Sequence, residues 1–217
     1  TKNWFHYGRF PLALFLALGV WLLMQPMTAY AEEIVVTSTL DSGAGTLRQA
    51  IADAAPGDTI IFDNSLSGLT ITLTSTLEIT QDLTLDGSSL PAAITFSGND
   101  MVRVFKVTNN ARVTLDSLAI VHGRDTSTAC SGGSCGGGLY NNSGSVAIHA
   151  VTFTAHAADR GAAIYNAAGV VSITDRLINN NATTEGGGGG IANYATLIVA
   201  GSTISNNTTP TGGLQGG

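Results

Sequence analysis

Asp116, His149, Asp175 and Arg176 are the residues whose types and spacing could do acid–base chemistry. Asp116 and His149 each stand one position after an apolar residue, Leu115 and Ile148, in a strand pattern that recurs along the chain. If those strands stack, the carboxylate and the imidazole become outward neighbours, with Asp175 and Arg176 close by in the next repeat. A carboxylate beside an imidazole can take up and return a proton. The same set also describes an exposed ion pair on a solvated face. A glycosidase would need two carboxylates about 5–10 Å apart. A polysaccharide lyase would need a carboxylate cluster for Ca²⁺ and a base for the α-proton. Clustered Asp-Asp pairs, a Gly-His-Gly turn and an Arg-x-Lys strand are all absent, so Asp116, His149 and Asp175 remain candidates without an assigned reaction.

Tyr140 and Tyr165 stand 25 residues apart, each just after an apolar position, and so are expected to point outward as a stacked pair. Two outward rings make a platform for sugar rings; they also serve as an aromatic ladder that only stabilises a sheet. Cys130 and Cys135 are the only cysteines. In an exported chain a pair this close forms a local disulfide that pins a loop. A zinc site would need further ligands, and His122 and His149 lie at no finger-like spacing. No Gly-Gly-x-Gly-x-Asp run marks a calcium repeat, so neither metal nor cofactor is expected. Asp125, His156, Asp159 and Arg160 fall in loop regions without an inferable partner.

What must position these residues is a repeat. Gly137-Gly138-Leu139-Tyr140-Asn141, Ala162-Ala163-Ile164-Tyr165-Asn166 and Gly189-Gly190-Ile191-Ala192-Asn193 align, with steps of 25 and 27 residues. Strands ahead of them align too: Leu115, Ile148, Ile173 and Val199 stand five residues before Ile120, Phe153, Ile178 and Ile204, with steps of 33, 25 and 26. The long step carries the Cys130–Cys135 loop as an insertion. One such repeat cannot bury its own apolar side, and stacked coils can. The predicted fold is therefore all-β, a right-handed parallel β-helix with inward columns Leu115/Ile148/Ile173/Val199, Ile120/Phe153/Ile178/Ile204 and Leu139/Ile164/Ile191. Asn141, Asn166 and Asn193 fall in one column and Asn181 and Asn207 in another. These are expected to form internal amide ladders at sharp corners.

At the front, Lys2 and Arg9 precede an apolar run from Leu12 to Leu23, and Ala29-Tyr30-Ala31 offers a small-x-small cleavage pattern. Residues 1–31 are expected to be a secretory signal peptide, its run too short for a membrane span of roughly 20 residues. Residues 32–65 read as an N-terminal cap: a strand at Ile34-Val35-Val36, a short helix over Leu47–Ala54 with Thr46 as N-cap, and a strand at Thr59–Phe62. A solenoid leaves apolar core and strand edges open at its first turn, and a short amphipathic helix covers them. Residues 66–217 are then β-helix rungs, ending mid-repeat in Gly-Gly-Leu-Gln-Gly-Gly, so the helix is expected to be incomplete at its C-terminus.

Setting aside Lys2 and Arg9 leaves seven basic residues of the nine, against fifteen acidic ones. Such a surface argues against nucleic acid, whose phosphates demand cations, and against a polybasic hold on lipids. The opening Val36-Thr37-Ser38-Thr39, Asp41-Ser42-Gly43, Gly45-Thr46-Leu47-Arg48-Gln49-Ala50-Ile51 and Gly57-Asp58-Thr59-Ile60 resembles that of large bacterial exported β-helix proteins. The Gly-Gly-Leu/Ile-x-Asn units resemble repeats of the polymorphic outer-membrane protein family. The accompanying Phe/Ile-x-x-Asn unit is met at Ile178–Asn181 and Ile204–Asn207. The rungs at Phe153 and Ile120 depart from it, with His156 and Gly123 at the Asn position. The resemblance implies a secreted or cell-surface chain, often one acting in adhesion. The near-uniform rungs between 145 and 207 favour non-catalytic binding, to a polysaccharide or to a host or neighbouring cell-surface protein, or a passive spacer. A monomer without a membrane span in its mature part is expected. The competing expectation is a β-helix polysaccharide lyase or glycoside hydrolase with its catalytic rungs mostly beyond residue 217.

Overall fold

The computed structural model describes residues 31–128, 130, 133–185 and 187–210. The expected leader up to Tyr30 and the closing Gly-Gly-Leu-Gln-Gly-Gly run lie outside the described residues.

The chain from Ala31 winds into a parallel β-solenoid of about six stacked turns. Its strands are mostly three to five residues long and alternate buried and open side chains, as in Leu77–Ile79 and Thr152–Thr154. So short a strand buries too little to hold alone, and stability comes from lying in register on the turn below. Three faces result. The first stacks Glu33–Val36, Asp58–Phe62, Leu83–Asp86, Arg112–Asp116 and Thr196–Ala200 with the later parts of Leu139–His149 and Ile164–Thr174. The second is a separate six-stranded sheet from Thr70–Thr72 to Thr203–Ser205. The third joins Leu77–Ile79, Phe105–Val107 and Ile191–Asn193 to the opening parts of the two long strands.

Register places the apolar columns. Ile60, Leu85, Leu115, Ile148, Ile173 and Val199 lie one above the next on the first face. Ile71, Phe96, Ile120, Phe153, Ile178 and Ile204 do so on the second. Leu77, Phe105, Leu139, Ile164 and Ile191 form the third. Up to Ile173 and Ile178 the columns make one continuous core, with Ile191 half-buried against it. Val199 and Ile204, expected inward, are 41% and 44% exposed in the last described turn. The core is filled at its N-terminal end by Phe96 between Phe62 and Phe105, both at 5.7 Å between ring centroids.

The helix Leu47–Asp53 buries Leu47 and Ala50 in that same core. Thr46 caps it, its side-chain oxygen accepting from the N–H of Gln49, which satisfies one orphan donor of the first turn. Arg48 staples the helix down, donating to the carbonyls of Ser75 and Thr76 and pairing with Asp41 at 2.6 Å.

Corners repeat as faithfully as strands. Between the first and second faces, Ser117, Ala150, Asp175 and Gly201 all have φ between +56° and +59°. Only glycine takes that backbone without cost; an L side chain there costs roughly 1–2 kcal/mol. Ala150→Gly is therefore expected to stabilise the fold by about 0.5–1 kcal/mol. Ala147→Gly, three residues earlier in an ordinary strand position, is expected to lose a similar amount. Urea unfolding of the two variants checks the opposite signs.

Candidate functional site

The outward column of the first face runs Asp86, Asp116, His149 and Thr174 in direct register. Nδ1 of His149 lies 3.1 Å from Asp116, and its Nε2 lies 4.0 Å from Asp175. Stacking thus does bring the three candidate residues together, with one imidazole between two carboxylates. Ser117 also donates to Asp116, at 2.8 Å. Arg176 makes no ion pair with this set among the described residues. The cluster can pass a proton, but it stands on an open face: His149 is 53% exposed and Asp175 69%. Neither of two surface clefts of about 320 and 280 Å³ includes any of the three.

Tyr140 and Tyr165 stack on the third face, ring centroids 5.8 Å apart, and Tyr194 adds a third ring at 5.3 Å. The expected open pair is not what the fold presents. Tyr140 and Tyr165 point away from the main core yet are only 9% and 7% exposed, because the Cys130–Cys135 loop packs over them. Tyr194, at 63%, is the open member of the ladder. Burial pushes the Tyr165 hydroxyl above its ordinary pKa, with the neighbouring Tyr194 adding to that shift.

The covering loop is locked by the Cys130–Cys135 disulfide and by Arg103, a residue that the repeat pattern does not single out. The Arg103 guanidinium lies over the Tyr140 ring at 4.9 Å and donates to the carbonyls of Cys135 and Gly136. It also pairs with Asp125 at 2.6 Å, both side chains being buried. Asp125 in turn accepts from the N–H of Cys135 and from Ser127. On the loop's other flank, Asp159 and Ser134 exchange backbone–side-chain hydrogen bonds in both directions. Hydrogen bonds from Thr184 and Ser134 hold the Asp159 carboxyl below its ordinary pKa. Asp125 and Asp159, without partners in the sequence reading, are clamps of the insertion.

Two amide ladders run inside the coil. Asn141 donates to Asn166 at 2.9 Å, and Asn166 donates to Asn193 at 2.7 Å. In the second ladder Asn207 donates to the carbonyl of Ile178, and Asn181 to that of Phe153, while each accepts from a backbone N–H of the turn below. His156 continues this pattern downward. Its Nδ1 accepts from the N–H of Gly123 at 2.9 Å, and its Nε2 lies 3.0 Å from the carbonyl of Ile120. A neutral imidazole does here what an Asn amide does one turn above. Burial depresses its pKa from 6.5 to about 3, against the two backbone hydrogen bonds that raise it.

No protein-family model and no curated protein matches the chain.

The three faces differ in chemistry. On the second, the outward positions are Thr70, Thr95, Ala119, Thr152, Leu177 and Thr203 in one column, with Thr72, Ser97, Val121, Thr154, Asn179 and Ser205 in the other. None of the twelve is charged, and eight carry a hydroxyl, seven of them not buried; Ser97 is buried and its hydroxyl accepts from the N–H of Asn99. Among the described residues no group of three His, Cys, Asp or Glu is placed to hold a metal ion, and no helix is long and apolar enough to cross a membrane.

Arg103→Met leaves the Asp125 carboxylate buried without its cation. The expected loss is about 3–5 kcal/mol, measured by denaturant unfolding. A loss below 1 kcal/mol would mean that the pair does not hold the insertion.

Proposed function

We propose that this chain is a non-catalytic binding solenoid, exported and presented at a cell surface, whose flat second face holds a neutral polysaccharide. The single observation behind the choice of ligand is the chemistry of that face: twelve stacked positions without a charge, seven of them bearing a hydroxyl that is not buried. Threonine is stiff at χ1, and the parallel ladder repeats each hydroxyl about every 4.8 Å. Such an array loses little side-chain entropy on binding, which is where association costs much of its free energy. A neutral partner also avoids repulsion from the chain's net charge of −6. Export rests on Lys2, Arg9 and the apolar run Leu12 to Leu23, and surface display on the resemblance of the repeats.

The second reading is a glycoside hydrolase or polysaccharide lyase, favoured by the Asp116–His149–Asp175 stack. Its exposure, and its place outside the two surface clefts described above, weigh against it, since catalysis needs positioned substrate.

Retention of the protein on insoluble neutral glucans, mannans and chitin, compared with polygalacturonate, separates the readings. Binding to a neutral polymer that survives high salt is expected. Replacing Thr152 and Thr154 together by Lys should weaken it by about tenfold or more, roughly 1.4 kcal/mol, with the melting temperature little changed. Release of new chain ends that disappears in Asp116→Asn would instead establish the enzyme. Retention only on the acidic polymer, lost at high salt, would remove the neutral-ligand reading.

A further inference from the structure

On the second face six strands keep register without a bulge, from Thr70–Thr72 to Thr203–Ser205. Its outward side chains therefore form a grid, with steps of about 4.8 Å between turns and about 6.6 Å along each strand. The grid is not uniform. Above Thr95 lie Ala119, Thr152, Leu177 and Thr203 in turn. In the neighbouring column Val121 lies below Thr154, and Asn179 below Ser205. From Thr95 to Thr203, hydroxyl-bearing turns thus alternate with turns led by an apolar side chain. The first turn, with Thr70 and Thr72, departs from the alternation.

The core does not ask for this pattern. The inward residues of the same five turns, Phe96, Ile120, Phe153, Ile178 and Ile204, are apolar throughout. Threonine and valine suit a strand equally well. The apolar members also meet solvent: Ala119 and Val121 are half-buried and Leu177 is 36% exposed.

The alternation has a period of two turns, about 9.6 Å. A ligand that matches it must itself repeat once in every two units, each about as long as a turn is high. An extended β-1,4-linked chain of pyranose rings does so. Each ring is turned over relative to the last, so one edge presents the same group at every second ring. Coiled α-1,4 and β-1,3 chains keep no such straight edge.

We propose that the second face reads linkage, taking a β-1,4-linked neutral glycan laid along the solenoid axis with one ring per turn. This rests on the carbohydrate reading above and narrows it. Hydroxyls of the glycan edge pair with Thr95, Thr152, Thr154 and Thr203, and the C–H groups between them rest on Ala119, Val121 and Leu177. A chain out of step sets its hydroxyls on Val121 and Leu177. There they lose water and gain no partner, a penalty of about tenfold or more in affinity.

Calorimetric titration of the chain with cellohexaose and mannohexaose, against maltohexaose and laminarihexaose, tests the reading of linkage. The two β-1,4 hexaoses should bind about tenfold or more tighter than the α-1,4 and β-1,3 ones. Ala119→Thr together with Val121→Thr turns an apolar turn into a hydroxyl one and should bring that ratio below about threefold. Should this variant not fold, Thr152→Val with Thr154→Val, which makes three successive turns poor in hydroxyls, should remove the preference in its place. Equal affinity for all four hexaoses, or an unchanged ratio in a folded variant, overturns the proposal and leaves the neutral-polysaccharide reading standing. Failure to bind any hexaose also overturns it, and retention on the insoluble polymers then decides the broader reading by itself.

Discussion

A parallel ladder in register is the constraint on which the rest of this molecule depends. Each turn lies about 4.8 Å above the last, so every side chain meets its own counterpart. Like must therefore tolerate like. Apolar residues do so in the interior, as with Leu115 on Leu85 and Ile148 on Leu115. Amides do so too, because each has a donor and an acceptor to offer along the axis, as Asn141, Asn166 and Asn193 demonstrate. Buried charges cannot stack on their own kind. This is why Asp125, the buried partner of Arg103, belongs to the insertion, where the register no longer dictates what lies next to what.

The inward columns were legible because stacking writes them into the sequence as a period. Leu115, Ile148, Ile173 and Val199 recur with fixed offsets from Ile120, Phe153, Ile178 and Ile204, and the register repeats that spacing. The outward acid–imidazole stack of Asp116, His149 and Asp175 was legible for the same reason, since a residue next to an inward one must point outward. Its place outside the two surface clefts was not, because concavity is a property of several turns and their loops together.

What escaped the period lay in the one turn that breaks it. Tyr140 and Tyr165 follow the outward rule, yet the insertion folds back and covers them. No offset in the sequence tells how far a loop reaches. Arg103 falls two residues before Phe105, at the place that Gly137 and Ala162 hold in the next turns, so a small-residue position gave no sign of the cation that anchors the loop. His156 did leave a signal. It stands at the Asn place of the Phe-x-x-Asn unit, and an imidazole with one bare and one protonated nitrogen can copy an amide's donor and acceptor. Reading it as a departure missed that chemical equivalence.

Equivalence of this kind is also where a solenoid can acquire sensitivity. Asn and neutral His satisfy the same two backbone groups, so the ladder accepts either at little structural cost. They differ in one respect: the amide keeps its acceptor at any physiological pH, whereas the imidazole loses it once protonated. In the middle of a uniform stretch, that loss would be resisted by ladders on every side. His156 instead sits beneath the longest connection between turns, where Gly123 and Gly138 meet through it. The strands above and below keep their own register, carried by Phe153 on Ile120 and Ile178 on Phe153.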